Sequence, residues 1–420
     1  MDGPEGRTPA ESLAEGIGTD ASGTDARPAA PPHPRTLGIV AEMFISRCGG
    51  DLYIHFSWGR VIDRLAARYE RVLLCAPTLD GPPQHARDYR IRATNLELIP
   101  APYYSSMIQS LPHMLGIIRA YARICRRADR LFVRGLMPYV AALYTFSYWH
   151  GLSPCHWVIG NSLELVKDRR CSLLKRAGYL LYGWQDRLAM RLGRRLTCGA
   201  FLCNGTELAA AYASPRTTAT VSSSITDEEF YERADTCQGP VVRILFVGFP
   251  RPEKGLRYLL EAFALLKLDR PVELVIVGAW ELFPAHRAEL DALGQELGVT
   301  DRVRWHGYAE VDEMYRQMRA ADLLVLPTLS EGTPHVLVEA RANSLPIVAT
   351  RVGGIPTSVT DGEDGLLVPS KDAAALARAI ERVVQDGELR RRLIRNGYES
   401  ARRLTVDRFA ELLHRTLECG

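Results

Sequence analysis

Lysine is scarce in this 420-residue chain: five of its 52 basic residues are Lys. That bias reads as GC-rich coding, so abundant Arg alone is no sign of nucleic-acid binding, and no base-stacking or nucleic-acid module pattern accompanies it. The nine cysteines include no C-x-x-C pair. An odd, scattered set argues against a disulfide framework and against a zinc site, and leaves reduced, mostly buried thiols as the expectation. The chain holds no D-x-D, the common carboxylate motif for a divalent metal, and no metal is expected. Residues 1–35 are acidic and rich in Gly, Ala and Pro, without a basic segment leading into an apolar one. They read as a disordered tail, not a signal peptide. Asp, Glu, Lys and Arg are all missing from Gly135 to Leu163. That length could span a bilayer, but Pro138, Gly151, Pro154 and Gly160 break it into a helix (139–149), a turn and a strand (155–159).

What is present is ordinary globular composition, 47% hydrophobic, in a chain long enough for two core-bearing domains. The net charge of +3 is unevenly spread. Residues 36–235 carry 25 basic against 17 acidic side chains, whereas 236–420 carry 24 against 26.

Short apolar strands alternate with helices throughout. "TLGIVAEMF" (36–44), "RVLLCAP" (71–77) and "LELIPAP" (96–102) are strands, and a Gly-Gly turn at Gly49–Gly50 leads toward a helix. The polar stretch "TDEEFYERADTCQGP" (226–240) has no apolar period and reads as a linker. The alternation then restarts with "VRILFVGFP" and "VELVIVG". Strand–helix alternation of this kind predicts parallel sheets covered on both faces, hence two Rossmann-like domains, 36–235 and 241–420, facing each other across a cleft. The terminal helix could return to the N-terminal domain. Ligands of such sheets sit beyond the carboxyl ends of the strands.

"EGTPHVLVEARANSLPIVAT" (331–350) follows the predicted strand "DLLVLPT". Thr333 is placed to cap a helix whose first residue is Pro334, which needs no backbone donor there. The free N–H groups of such a helix start suit a diphosphate. Glu339 then lies about 9 Å along the axis, at about 1.5 Å per residue, roughly the distance from a diphosphate to a ribose diol. Glu331 lies on the other side, where the diphosphate's sugar would be. A pair of glutamates by itself is as readily two solvated helix-face acids.

The wider context favours the sharper reading. "SEGTPHVLVEARANSLPIVATRVGGIPTSVTDGEDGLLVP" resembles the donor-site block of family 4 glycosyltransferases, which have the GT-B fold. The block comprises E-x(7)-E, a Pro-Val-Val-Ala-Thr-like strand, a Gly-Gly turn and D-G-x-x-G-x-L-V. "FVGFPRPEKGLRYLLEAF" resembles the entry to that family's C-terminal domain. The resemblance is strong over about 240–400 and extends to 36–235 only in layout.

That resemblance implies a retaining transferase moving a sugar from a nucleotide-diphospho-sugar, its co-substrate, to a hydroxyl acceptor, a lipid-linked glycan or a small-molecule glycoside. Glu339 would hold the ribose, Glu331 the sugar hydroxyls, and Lys254 the diphosphate. Gly332, Thr333 and Pro334 would form the helix-start cradle, with Gly248, Gly49 and Gly50 in the donor set and no metal or cofactor. Two positions depart from the family. Phe249 stands where an Arg is usual, leaving Arg251 as a displaced substitute or a solvent-exposed side chain. Asn161 aligns with a His that reaches the donor sugar, while His150 and His156 nearby read as packed. Trp280 could stack on a base or pack. A sugar-nucleotide epimerase or hydrolase, and a non-catalytic sugar-nucleotide binder, are the alternatives.

Residues 167–195 carry nine Lys/Arg against Asp168 and Asp186, interleaved with leucines, Tyr179 and Trp184. Either the apolar stripe packs on the N-domain sheet while arginines reach water, or this face lies on an anionic membrane. The expected setting is cytoplasmic, with peripheral attachment under the second reading.

Overall fold

The computed structural model describes residues 33–83, 88–160 and 173–419, with only the backbone at 33, 34, 173–179, 181 and 182. The expected tail lies almost wholly outside the described residues, as does Asn161. The chain divides into two compact units. One holds the residues up to Thr220 together with Val406 onward, and the other holds Val221–Thr405.

The first unit is built on ten strands among the described residues: β1 (His33–Ala41), β2 (Ile45–Cys48), β3 (Asp51–His55), β4 (Tyr69–Asp80), β5 (Asp88–Arg90), β6 (Leu96–Ala101), β7 (Arg130–Arg134), β8 (Cys155–Val158), β9 (Ala200–Asn204) and β10 (Thr217–Thr220). Seven run parallel in the order β6-β4-β1-β7-β8-β9-β10, and β2 also pairs parallel with β4. Val72, Leu73, Leu74, Cys75 and Ala76 of β4 are all buried, the unbroken apolar run of a strand covered on both faces. Its helices are α1 (Phe56–Ala66), α2 (Met107–Ser110), α3 (Met114–Cys125), α4 (Val140–Trp149), α5 (Leu173–Thr197) and α6 (Thr206–Ala211). Trp58, Val61, Ile62 and Leu65 form the buried stripe of α1, at helical spacing. The expected Gly-Gly turn is a hairpin tip: β2 and β3 pair antiparallel with Cys48 opposite Asp51, and Gly49 and Gly50 take φ of 59° and 91°. Two consecutive positive φ values are what a two-residue hairpin loop demands. The helix therefore begins only at Phe56, with β3 in between.

The second unit has one six-stranded parallel sheet. It comprises β11 (Val242–Val247), β12 (Val272–Val277), β13 (Val303–Trp305), β14 (Leu323–Leu326), β15 (Ile347–Thr350) and β16 (Leu366–Val368), ordered β13-β12-β11-β14-β15-β16. Its helices are α7 (Leu256–Leu265), α8 (Pro284–Glu296), α9 (Val311–Ala320), α10 (His335–Ala342), α11 (Ile355–Ser358), α12 (Ala373–Gln385) and α13 (Gly387–Arg402). The last helix, α14 (Val406–Glu418), belongs to the first unit, where Phe409 packs on Trp157 and Arg64 bonds Asp407 at 2.7 Å.

The polar stretch 226–240, read from sequence as a linker, folds with the second unit. Its polarity serves anchoring. The Tyr231 N–H donates to the Ala342 carbonyl, Cys237 N–H to Asp322, and Arg233 to the carbonyls of Met318, Arg319 and Ala321. Among the described residues no helix is long and apolar enough to cross a membrane. The uncharged stretch holds α4, a turn and β8.

Candidate functional site in the second unit

In a doubly wound sheet the first and fourth strands of the winding diverge, and a crevice opens at their carboxyl ends. Here those strands are β11 and β14. The chain leaves β11 through Gly248 and passes Phe249 and Arg251 to a single turn at Pro252–Lys254. Gly255 then takes φ 69°, and a Cβ there would collide with the Pro327 carbonyl. That close approach joins the exits of both strands. The Leu329 N–H and the Thr328 hydroxyl both donate to the Glu253 carbonyl, at 2.7 and 3.0 Å. The joined exits bring Lys254 to Glu331, whose Oε2 accepts from the Lys254 ammonium. Both side chains are about four-fifths buried, 20% and 19% exposed. An ion pair withdrawn this far from water is weak evidence for stability and better evidence for a site.

Beyond Glu331 the chain enters α10, one residue later than the sequence suggested. Pro334 is extended (φ −71°, ψ 120°) and occupies the cap position, so His335 is the first helical residue. Thr333 is no cap: its hydroxyl is buried without a hydrogen-bond partner. No side chain caps the helix start, and the Leu337 N–H turns back to the Pro334 carbonyl at 3.2 Å; a helix start without a side-chain cap suits an anion. The Gly-Gly turn explains itself here. A Cβ on Gly353 would strike the Glu331 carbonyl, and one on Gly354 would come within 2.6 Å of the Gly332 carbonyl oxygen. Gly353 also takes φ 53°. The two glycines thus press the Glu331–Gly332 backbone into place.

Glu339 is the fifth residue of α10 and is buried. Ser224 donates its hydroxyl to Glu339 Oε1, and Ser222 lies 3.0 Å from His335 Nε2. No periodicity or motif in the sequence singles out these serines. Their signal was three hydroxyls, "SSS", inside a buried run that otherwise reads as strand. Other parts of the matched block are structural. Arg341, 1% exposed, bonds Asp364 at 2.7 Å, and Asp361 accepts from the Leu367 N–H, so the D-G-E-D-G segment ties β16 and α10 together.

Not every expected site residue joins this group. Arg251 is more than half exposed, its guanidinium 3.7 Å from Glu253 and over the Phe249 ring, while its carbonyl accepts from the Lys254 N–H at 2.9 Å. Gly248 follows β11 and donates to the Val277 carbonyl, while Gly49 and Gly50 stand at the exposed hairpin tip of the first unit. Trp280 packs edge-on against Trp305 and is 3% exposed, so its face is spent on the core. His156 is wholly buried between the Gly135 carbonyl (2.8 Å) and the Tyr144 hydroxyl (3.1 Å), and burial pushes its pKa down to about 4. It is a neutral packing residue; His150 is exposed.

The basic helix departs from one of its two readings. Leu180, Trp184, Leu188, Leu192 and Leu196, spaced four apart on α5, are all exposed, Trp184 by 65%. The face turned inward carries Gly183, Asp186, Met190, Gly193 and Thr197. A Cβ on Gly193 would collide with the Tyr144 ring, so α5 lies close upon α4 through its small residues. The stripe formed by these described residues therefore does not pack on the sheet.

Comparison with known proteins places these observations. Residues 231–400 match the family model described as glycosyl transferases group 1. The D-inositol 3-phosphate glycosyltransferase of Corynebacterium efficiens is 36% identical over 162 residues, 38% of either chain. That of Acidothermus cellulolyticus is 37% identical over 174 residues, 40% of this chain and 39% of its own. This chain thus spans about two-fifths of the length of the curated relatives it matches. Among solved structures, sucrose-phosphate synthase from Thermosynechococcus elongatus superposes over 92% of this chain and 99% of its own, with TM-score 0.65 and 20% identity. WaaG, a glycosyltransferase involved in lipopolysaccharide biosynthesis, does so over 91% and 100%, with TM-score 0.63 and 18% identity. At such identities the likeness is one of fold, the GT-B class built from two Rossmann-like units.

Proposed function

We propose that this chain, whose residues 231–400 are a glycosyl transferases group 1 domain, moves a sugar from a nucleotide-diphospho-sugar to a hydroxyl acceptor, with retention at the anomeric carbon and without a metal. The observation that carries the reading is the Lys254–Glu331 pair at the crevice between β11 and β14, beside an uncapped helix start. Lys254 and the N–H groups of α10 meet the charge that develops on the departing diphosphate. Fixed donors of this kind contribute roughly 10²–10³ in rate. Glu331 accepts hydroxyls of the donor sugar, and Glu339, oriented by Ser224, accepts the ribose diol. Gly332 and Thr333 offer backbone donors. The D-inositol 3-phosphate glycosyltransferases support glycosyl transfer, and the Anabaena HepE structures of like fold, with UDP and with UDP-glucose, support a donor of this class. The test is a panel of nucleotide-sugars scored by thermal stabilisation, followed by acceptor-dependent release of nucleoside diphosphate. Stabilisation by none of them defeats the proposal; release independent of any acceptor points to a hydrolase. Activity should persist in EDTA, and a loss that Mg²⁺ restores would overturn the metal-free part.

The exposed stripe of α5 supports a cytoplasmic enzyme resting on an anionic membrane that carries its acceptor. Arg191 and Arg195 of α5 are exposed as well, Arg187 and Arg194 lie over the Tyr212 and Phe201 rings, and the one acidic residue among the described side chains of α5, Asp186, is turned inward. Basic residues near an anionic surface contribute about 1 kcal/mol each, and a Trp suits the headgroup level. Vesicles with 30 mol% (roughly) anionic lipid should bind the chain at low salt and release it at high salt. Trp184→Glu combined with Arg191→Glu should abolish that binding. Equal partitioning of a folded variant and wild type sinks the membrane reading and leaves a soluble acceptor.

A further inference from the structure

Ser222 and His335 make a second contact beside the one that holds Glu339, and the proposed transfer leaves it without a role. His335 is the first residue of α10 and Glu339 the fifth. Residues four apart share a helix face, here about 6 Å apart along the axis at about 1.5 Å per residue. One run of hydroxyls serves that face. Ser224 donates to Glu339 Oε1, and Ser222 Oγ lies 3.0 Å from His335 Nε2. The run is itself held in place: residues 221–226 are buried, and the Ser223 hydroxyl accepts from the Ile225 N–H at 3.1 Å.

Position and chemistry both single out the imidazole. In the proposed donor, Glu339 meets the ribose and the helix start meets the diphosphate. A side chain one turn from Glu339 toward that start is level with the phosphate that joins the two, the α-phosphate. His335 is only partly buried, so a ligand can reach the ring. The crevice also has use for a further donor. Lys254 is already matched by Glu331, and the Arg251 guanidinium is turned to Glu253 and the Phe249 ring. A diphosphate brings more negative charge than the Lys254–Glu331 pair can balance. An imidazole offers an N–H to a phosphate oxygen and strengthens that bond by taking a proton. Ser222 suits either state of the ring. Its hydroxyl donates to a bare Nε2 or accepts from a protonated one, so the orientation is kept.

We propose that His335, held by Ser222, is a donor-binding residue whose ring N–H contacts the α-phosphate of the nucleotide. The inference rests on the transferase reading for the presence of a nucleotide in this crevice, and adds which side chain meets which phosphate. Ser222 is a positioning residue that acts only through His335. The nucleotide is then divided among three side chains: Glu339 takes the ribose, His335 the α-phosphate and Lys254 the β-phosphate.

The experiment titrates the full chain with the common ribonucleosides, their 5′-monophosphates and their 5′-diphosphates, read by calorimetry and by saturation-transfer NMR. Wild type should bind the diphosphate of at least one series, and the other two members of that series more weakly. His335→Leu should weaken the monophosphate and the diphosphate by the same factor, about tenfold or more, and leave the nucleoside as in wild type. His335→Gln, which keeps an N–H on a side chain of similar reach, should recover part of the loss. Lys254→Ala should weaken the diphosphate alone, and Glu339→Ala all three. Ser222→Ala should repeat the His335→Leu pattern more weakly and add nothing to it in the double variant. Unchanged nucleoside binding also shows that a variant is folded. Wild-type affinity for both phosphates in His335→Leu overturns the proposal and makes the Ser222 contact a staple for the incoming chain. An equal loss for the nucleoside overturns it too, as a general disturbance of the site. A wild type that binds none of these ligands defeats the donor reading and this inference with it, whereas an indifferent His335→Leu in a chain that binds nucleotide defeats this inference alone.

Discussion

The two units wind their strands alike and then charge the crevice in opposite sense. In the second, the cation follows the first wound strand and the carboxylate the fourth: Lys254 after β11, Glu331 after β14. In the first, the carboxylate follows the first strand and the cation closes the fourth: Glu42 after β1, Arg134 in β7. The cations differ too. Lys254 is a compact, mobile point charge suited to phosphate oxygens that change charge during a reaction. Arg134 is a planar fork set over two adjoining indoles, suited to holding a carboxylate still. One scaffold thus carries two ion pairs of opposite order at its strand ends.

The largest expected effect tests the first half of that contrast. Lys254→Ala should lower kcat at least about 100-fold, because the leaving diphosphate loses its fixed cation and Glu331 is left largely buried and unpaired. Lys254→Arg should recover only part of it, since the fork does not reproduce a point charge. A Lys254→Ala enzyme with wild-type kcat, measured on the donor found by the thermal panel, would show that the pair is structural.

These crevices were unequally legible in the sequence. The second could be read because its parts are local and ordered: Glu331 and Glu339 share one short segment, and the glycines that press on the Glu331–Gly332 backbone, Gly353 and Gly354, follow it 22 residues on. The strand–helix alternation was equally plain, because fully buried strands such as Val72–Ala76 are unbroken apolar runs. What could not be read depends on pairing over distance. Glu42 meets Arg134 across ninety-two positions, and Ser224 meets Glu339 across 115. Neither pair has a spacing that periodicity can reveal. The outward turn of Leu180, Trp184 and Leu188 was hidden for another reason. A helix with leucines on one side and Asp186 on the other is expected to bury the leucines, and only the close fit of Gly193 on Tyr144 reverses it.

A smaller effect sharpens the role of Glu339. Glu339→Ala removes hydrogen bonds made to the ribose before and during transfer alike, so donor KM should rise about tenfold with kcat changed much less. Ser224→Ala should do the same more weakly, about two- to threefold, because it frees the carboxylate to rotate without removing it. Glu331→Ala should lower kcat as well. If Ser224→Ala moves kcat and leaves KM alone, the serine does not act through ribose binding.

The smallest effect separates the units by pH. Buried ions of the second unit are paired, Arg341 with Asp364 and Arg390 with Asp235. The first unit holds Asp186 on the inward face of α5, 3% exposed, with both carboxylate oxygens unpartnered. Burial pushes its pKa up to about 7, and the Arg187 charge opposes only part of that. The folded chain therefore keeps a proton that the unfolded chain releases near the ordinary Asp value of about 4. Between about pH 4 and about 7 the folded state binds more protons, so stability is full below that window and falls as pH rises through it. Above it the ionised, unpaired Asp186 destabilises the first unit by an amount on the order of 1–2 kcal/mol, after allowance for water reaching the site. Asp186→Asn keeps the shape and cannot ionise. It should slow amide exchange of α4 and α5 at pH 8, leave that of α10 and α12 unchanged, and flatten the fall in thermal stability from pH 5 to 8. A slope that survives in Asp186→Asn would assign the pH response to another group and return α5 to the status of an ordinary packed helix.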